Sequence, residues 1–277
     1  MSYEGTVSVV IPTKNRFTSL WSAVGSVVSQ GRSISQIVVV DDGSCDLTSK
    51  SYDLLRSFDS RIEVLSTGGL SGGAAARNIG AMSAKCEYIA FLDDDDIWLE
   101  RKIDTQLAFL TEHKSCGAVL CPELRLNTKT GQLSRVKQSA VDRTRLIAHF
   151  PCPGTSCLMM RRPLFDLVGG FNPTLRRLQD WDFYLRLASV TKIGFIRDPL
   201  TLYTDHAGDQ ISKSNSALYP SYRRIYLNIR ATLTPRELTH FRLILIYHRN
   251  INHFNSLQRL ALKTKIRLSR LLISWHK

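Results

Sequence analysis

Residues 6–44 read TVSVVIPTKNRFTSLWSAVGSVVSQGRSISQIVVVDDGS, and the hydrophobic period changes twice within them. Thr6 to Pro12 and Gln36 to Ser44 are β-branched runs, the first closed by Pro12 and the second by Asp41, Asp42 and Gly43. A short apolar run bounded by turn residues predicts a strand buried on both faces. Between them, from about Phe17 to Ser29, Leu20, Val24, Val27 and Val28 recur at helical spacing. A strand, a helix and a strand in that order form a βαβ unit, whose crossover makes its strands parallel.

The alternation continues outward. Asp46 to Phe58 carries a second helical pattern, RIEVLS (Arg61 to Ser66) a third strand, and Gly68 to Ala84 runs through small residues into a helix. EYIAFL (Glu87 to Leu92) is the fourth strand. This order predicts an α/β fold with a doubly wound, Rossmann-like, mostly parallel central sheet flanked by helices, with function at the carboxyl ends of its strands. Pro12, Asp41, Asp42 and Asp93 to Asp96 all fall at those ends. Further on, Arg101 to His113 reads as a helix and AVLCPELRLN (Ala118 to Asn127) as one strand or a hairpin arm. Cys152 to Pro173 gives an apolar strand, a short helix opening at Pro163 and a Gly-Gly stop, and QDWDFYLRLASV (Gln179 to Val190) gives another helix. From Ser221 the helical pattern is nearly continuous.

Asp93, Asp94, Asp95 and Asp96 directly follow the fourth strand. Neighbouring carboxylates repel by about 1 kcal/mol per pair even in water, so a divalent cation is the natural relief. Oxygen-only ligation favours Mg²⁺ or Mn²⁺, ions that keep water and take phosphate oxygens, so a phosphorylated ligand is expected with them. The alternative is a solvated acidic turn.

A chain of 277 residues with 43% hydrophobic content suffices for one large α/β domain or a domain with a helical appendage. The six cysteines show no disulfide-framework spacing, and Cys116/Cys121 and Cys152/Cys157 read as buried small residues rather than zinc ligands. The N-terminus lacks a basic region followed by an apolar stretch, and no run approaches the roughly 20 apolar residues of a membrane span. The expected location is the cytoplasm. Net charge is +13, and from Arg223 onward twelve Lys or Arg face one acid, Glu237, so that segment carries +11 of it. Drawn as one helix, Leu257 to Trp275 sets Leu257, Leu260, Ala261, Leu268, Leu271, Leu272 and Trp275 on one side, with Arg259, Lys263, Arg267 and Arg270 on another. Such a helix suits peripheral attachment to the anionic inner face of the cell membrane, or packs its apolar side on the domain. Nucleic acid is not an expected partner, because the tail has neither an aromatic-interleaved platform nor a zinc-finger pattern.

Six segments taken together resemble the GT-A-fold family 2 glycosyltransferases: IPTKNR (Ile11 to Arg16), VVVDDGS (Val38 to Ser44), GGAAARNIGA (Gly72 to Ala81), FLDDDD (Phe91 to Asp96), VGGF (Val168 to Phe171) and QDWDFYLRLA (Gln179 to Ala188). They occur in the family's order and spacing over about residues 5–212. The resemblance implies a catalytic domain over 1–215, its nucleotide-binding half about 1–100 and its acceptor half about 101–215, followed by a basic helical region over 216–277. It implies a nucleotide-sugar donor, usually UDP-linked, a divalent metal (Mn or Mg), and a glycan or lipid-linked glycan acceptor. Pro12, Thr13, Asn15, Arg16, Asp41, Asp42, Arg77, Asn78, Asp93 and Asp94 match donor-binding positions, with Asp42 accepting from a nucleobase N–H. Asp93 and Asp95 fall on the metal motif, and His206, in LYTDHAGDQIS (Leu202 to Ser212), matches a late loop that approaches the metal. Asp180 matches the catalytic base of an inverting transfer, with Gln179 where relatives carry Glu. Gly154, Thr155, Ser156 and Trp181 are expected at the acceptor.

Two other activities fit less of the sequence. A nucleotidyltransferase would show a G-x-G-T-R loop after the first strand, where this chain has IPTKNR. A lapsed, binding-only subunit is suggested by Gln179 alone and opposed by Asp95 and Asp180.

Overall fold

The computed structural model describes residues 6–45, 49–69, 71–136, 138, 140–148, 152–205, 218–251 and 253–274. The opening βαβ unit forms as expected: β1 (Val7–Thr13) lies parallel to β2 (Ile34–Asp41), with Val10 beside Val38 and Thr13 beside Asp41. Helix α1 (Phe17–Val28) makes the crossover and buries Leu20, Ala23, Val24 and Val27. Helix α2 (Ser49–Phe58) leads to β3 (Ile62–Ser66), parallel to β2 at the sheet edge. The chain then returns through α3 (Gly73–Ser83) to place β4 (Tyr88–Phe91) on the other side of β1. That reversal beside β1 is the topological switch point, where the carboxyl ends of an open sheet leave a crevice. Gly80 sets how closely α3 approaches: a Cβ there would lie 2.4 Å from Val10 Cγ1 and 3.0 Å from Val40 Cγ2.

After β5 (Ile97–Trp98) and α4 (Lys102–Glu112), the predicted strand Ala118 to Asn127 divides in two. β6 (Cys116–Leu120) belongs to the large sheet, and β7 (Glu123–Asn127) belongs to a second one. Pro122 stands at the break, where its fixed φ and missing N–H end one ladder before the next begins. The second sheet runs β5, β11 (Thr201–Asp205), β7, β8 (Leu133–Arg135). Because β5 starts right after Asp96, this small sheet lies against the acidic loop. The seven-stranded sheet is completed by β9 (Leu158–Arg161), antiparallel between β4 and β6, and by β10 (Lys192–Phe195), parallel to β6. Sequence reasoning found no element between Asn127 and His149, where β8 and α5 (Arg143–Ala148) lie.

Helix α6 (Arg162–Leu167) stops at Gly169 and Gly170, both in the left-handed region at φ 75° and 66°. Helix α7 (Gln179–Leu187) buries one face against the core, where Phe171 stacks on Phe183 at 4.3 Å and meets Phe91 edge-on at 5.3 Å. All six cysteines are thiols, with Cys86, Cys121, Cys152 and Cys157 buried.

The basic region forms α8 (Leu218–Ile229), α9 (Pro235–Asn250) and α10 (Ser256–Ser274). A capping box of Thr234 and Glu237 opens α9. Helix α10 packs on α9 and α5, but not through the leucine side. Leu262, Ile266, Ser269 and Ile273 turn inward, while Leu257, Leu260, Leu268, Leu271 and Leu272 are 53% to 76% exposed. Packing on the domain and an open apolar face therefore coexist on one helix. Trp275 lies outside the described residues. Among the described residues no helix is long and apolar enough to cross a membrane.

Candidate active site

A cavity of about 650 Å³ opens at the carboxyl ends of β1, β2 and β4. Pro12, Thr13, Arg16, Asp42, Arg77, Asp93, Asp94, Asp95, Gly154, Thr155 and Asp180 all contribute to its lining. Residues from Pro12 to Tyr203 thus converge on the crevice that the strand order predicts.

At the β2 end, Asp42 is buried and its carboxylate accepts from Thr67 Oγ1 (2.7 Å), Ser71 N (2.8 Å) and Gly72 N (2.9 Å). A carboxylate offers about four acceptor positions, so one remains for a further N–H. At the β1 end, Asn15 takes a left-handed φ of 53°. Its N–H donates to Ser44 Oγ (2.8 Å), and its Oδ1 accepts from Cys45 N (2.7 Å). Asn15 therefore ties the two strand-end loops together rather than lining the cavity.

The four aspartates take four different environments. Asp93 forms a short ion pair with Arg77 and accepts from Thr155 Oγ1 (3.2 Å). Burial and Asp93 act in opposite senses on Arg77; the carboxylate wins and raises its pKa, with Asp180 adding to the effect. Asp94 is buried, and that burial pushes its pKa up to about 6 even though Arg16 (3.1 Å) and Thr13 Oγ1 (2.8 Å) favour the ionised form. Asp95 pairs with the same Arg16 at 2.6 Å and keeps 17% of its side chain open. Asp96 points inward, accepts from Ser156 Oγ (2.5 Å), and is held well above the usual carboxylate range by burial and by Asp93. Its Oδ1 is buried with no hydrogen-bond partner among the described residues.

Asp93 and Asp95 are the carboxylates able to hold a divalent ion from within the cavity. Their hard oxygens suit such an ion, whereas Asp96 is buried and does not line the cavity. Among the described residues no three His, Cys, Asp or Glu groups come together as a complete ligand set. A Mg²⁺ or Mn²⁺ ion would complete its shell with water and phosphate oxygens, as these ions do in phosphate-binding sites. His206 lies outside the described residues.

Asp180 stands at the N-terminus of α7. It keeps an accessible edge toward the cavity although protein crowds it on every side, and that burial raises its pKa. The Trp181 N–H (2.8 Å) and Arg77 oppose the shift, while Asp93 adds to it. Leu178, just before, holds a left-handed φ of 63°, a strained state for a residue with a Cβ that places Gln179 and Asp180 at the wall.

Four other predicted residues sit behind the lining. Asp41 accepts from Ser44 N (2.9 Å) and Tyr52 Oη (2.6 Å) in the β2 turn. Asn78 clasps Phe171 with two bonds of 2.8 Å, joining α3 to the chain after α6. Ser156 is 1% exposed and links Asp93 N to Asp96. Trp181 is likewise 1% exposed, its Nε1–H donating to Leu146 O (2.7 Å), so its ring has no face for a sugar. Asp182 pairs with Arg186 (2.6 Å), which in turn caps the carbonyls of Val168 and Gly170.

Sequence reasoning missed Lys14, Tyr203, Arg176 and Arg177, all in the lining, and Glu123, buried behind Gly154. Lys14 lies within IPTKNR and Tyr203 within LYTDHAGDQIS, the two arginines fall just before QDWDFYLRLA, and Glu123 alone lies outside every motif.

An open, mostly parallel sheet with an acidic loop at its switch point and a buried aspartate facing it is the GT-A glycosyltransferase arrangement. Residues 8–167 match the family described as Glycosyl transferase family 2, and the chain belongs to that family. An uncharacterised glycosyltransferase of Haemophilus influenzae is 24% identical over 205 residues, covering 72% of this chain and 68% of that protein. The Escherichia coli UDP-Glc:alpha-D-GlcNAc-diphosphoundecaprenol beta-1,3-glucosyltransferase WfgD is 34% identical over 107 residues, which span 39% of this chain and 42% of that protein. The crystal structure of Staphylococcus aureus TarS 1–349 in complex with UDP-GlcNAc superposes with a TM-score of 0.69 over 89% of this chain and 73% of that one, at 20% identity. That last likeness is one of fold.

Proposed function

We propose that this chain is an inverting, divalent-metal-dependent hexosyltransferase that moves a sugar from a UDP-sugar to a hydroxyl of a glycan or lipid-linked glycan in bacterial surface polysaccharide synthesis. The observation that carries this reading is a single cavity lined by Asp42, by Asp93 to Asp95 and by Asp180. The name of the WfgD relative and the ligand in the TarS complex support UDP-linked donors.

In this mechanism Asp42 offers its remaining acceptor position to the uracil imide N–H. Arg77, locked on Asp93, holds positive charge beside the departing group, where fixed charge in a dry site is most effective. Asp93 and Asp95 would hold a divalent ion, which would supply charge neutralisation for the diphosphate leaving group. Asp180 accepts the acceptor hydroxyl's proton; the oxygen bonds to the anomeric carbon as the carbon–oxygen bond to UDP breaks on the opposite face. An α-linked donor thus gives a β-linkage. The test is UDP release across a panel of UDP-sugars with Mn²⁺ and then with EDTA. Release from one or a few donors, lost on chelation, is expected; UDP binding without release from any donor would point to the lapsed subunit.

The reading extends to the membrane. The exposed leucines of α10 lie beside Arg259, Lys263, Lys265 and Arg267, all exposed, a combination suited to an anionic lipid surface. Because the inner face of α10 is separate, Leu268→Gln, Leu271→Gln and Leu272→Gln together leave its packing intact. Each buried leucine contributes about 1.5–3 kcal/mol, so the triple variant should partition onto phosphatidylglycerol vesicles at least about tenfold more weakly. Unchanged partitioning in a sedimentation assay would rule out this mode of attachment.

A further inference from the structure

Two arginines of the cavity wall have no part in the chemistry above. Arg176 and Arg177 line the cavity from the loop between α6 and α7, immediately before the strained Leu178 and Asp180. The donor-side carboxylates already have cations: Arg16 bridges Asp94 and Asp95, and Arg77 holds Asp93. Arg176 is exposed and makes no ion pair among the described residues.

Their position separates them from the nucleotide pole. Arg177 lies within electrostatic reach of Asp180 on one side and of Tyr222 on α8 and His248 on α9 on the other. Arg224 of α8 reaches the same loop, donating to Thr174 Oγ1 at 3.0 Å. Pro12, Asp42, Gly72 and Gly73 line the cavity from β1, β2 and α3 instead. The arginines therefore belong to the wall that α7 shares with the C-terminal helices.

We propose that Arg176 and Arg177 form a subsite for a phosphate group carried by the acceptor, next to the hydroxyl that attacks. A neutral sugar takes hydrogen bonds from guanidinium groups but gains nothing from their charge. A phosphorylated acceptor does, because Arg16 and Arg77 already pair with Asp93, Asp94 and Asp95, which leaves these two guanidinium groups to offset the charge of Asp180 beside an incoming anion. The planar guanidinium matches phosphate oxygens with two parallel hydrogen bonds. A lipid diphosphate and a phosphodiester polymer share this chemistry. The inference rests on reading the cavity as a transferase site, and UDP release tests that reading separately.

The experiment is equilibrium binding to the full chain with UDP and Mn²⁺ saturating, using octyl phosphate, octyl glucoside and a glycerol phosphate oligomer as probes. Wild type should bind octyl phosphate about 10- to 100-fold more tightly than octyl glucoside, the span of charge-assisted hydrogen bonds. Arg176→Ala and the Arg176→Ala, Arg177→Ala pair should erase that preference, and the Arg176→Lys, Arg177→Lys pair should restore part of it. Arg176 is exposed, so its single substitution keeps the fold even where Arg177 cannot be replaced. Tighter binding of the octyl probe marks a lipid phosphate and tighter binding of the oligomer a polymer. Equal binding of phosphate and neutral probes by wild type would overturn the proposal. So would a fall in UDP affinity in the Arg176→Ala variant, which would assign the arginines to the donor.

Discussion

Asp180→Asn is expected to lower kcat for glycosyl transfer by about 10²- to 10⁴-fold, the contribution of a positioned general base, while UDP affinity stays unchanged. The asparagine keeps the size of the side chain and, through its carbonyl, the bond from Trp181 N–H that Asp180 Oδ1 now accepts at 2.8 Å. What it loses is the capacity to take a proton. UDP titration followed by single-turnover transfer separates binding from chemistry. A variant with near-normal kcat would move the base elsewhere, Glu123 being a buried carboxylate within electrostatic reach of Asp180. Stability should move in the opposite sense. Burial raises the Asp180 pKa, so ionising this group opposes folding above that pKa. The asparagine removes that penalty, and the variant should melt no lower than wild type at neutral pH. Any gain should vanish as pH falls and the wild-type carboxyl takes up its proton.

The pH profile carries the same sign. With Asp180 as the proposed base, transfer needs it ionised, so the acidic limb of kcat should lie above the ordinary aspartate value of about 3.9. Asp94 titrates in a window of its own above that range, its pKa pushed up to about 6 by burial. Protonating it weakens its link to Arg16 and adds a second step to the limb. For folding, a raised carboxyl pKa means that stability falls as pH rises through that window, because the native state holds the proton more tightly than the unfolded chain.

How much of this was legible depended on distance along the chain. The first four strands and their helices follow from short apolar runs of the right length bounded by turn residues, although β3 at the sheet edge is only partly buried. Asp93 to Asp96 and Asp180 were legible because each lies in a contiguous motif. Glu123 was not: it sits on β7, in a second sheet that Pro122 separates from the first, and nothing local distinguishes Ala118 to Asn127 from a single strand. Tyr203 lies in the quoted segment Leu202 to Ser212, but the pairing of β11 with β7 that brings it to the cavity is not visible there. Asn15, Asp41 and Asn78 match the motifs, yet their hydrogen bonds go to neighbouring loops, which only the folded chain reveals. Helix α10 misled for another reason. Its packing residues Leu262, Ile266 and Ile273 are interleaved with Arg259, Lys263 and Arg270, so the buried side looked like the basic one. Long cationic side chains let this happen, since their stems lie along apolar surface while their heads stay in water.

Trp181 is the residue whose expected place changes most, and its substitution should carry the largest cost in stability. Trp181→Ala should destabilise the fold by about 3–5 kcal/mol, the range for emptying a large aromatic from a core. The ring stacks on Phe241 at 5.6 Å and meets Tyr222 edge-on at 5.4 Å, so it joins α7 to both α8 and α9. Removing it also leaves Leu146 O without the indole donor that now lies at 2.7 Å. Trp181→Phe isolates that second loss: the stack survives, a buried carbonyl goes unpaired, and the cost should be about 1–3 kcal/mol. Urea denaturation of the three proteins measures both. A sugar-stacking tryptophan would behave differently, with native stability in the alanine variant and a raised KM for the acceptor alone. Because Asp180 precedes Trp181 on the same helical turn, anchoring the indole among the C-terminal helices also fixes where the proposed base stands. The phenylalanine variant should therefore keep most of its kcat, whereas the alanine variant should lose activity as α7 loosens.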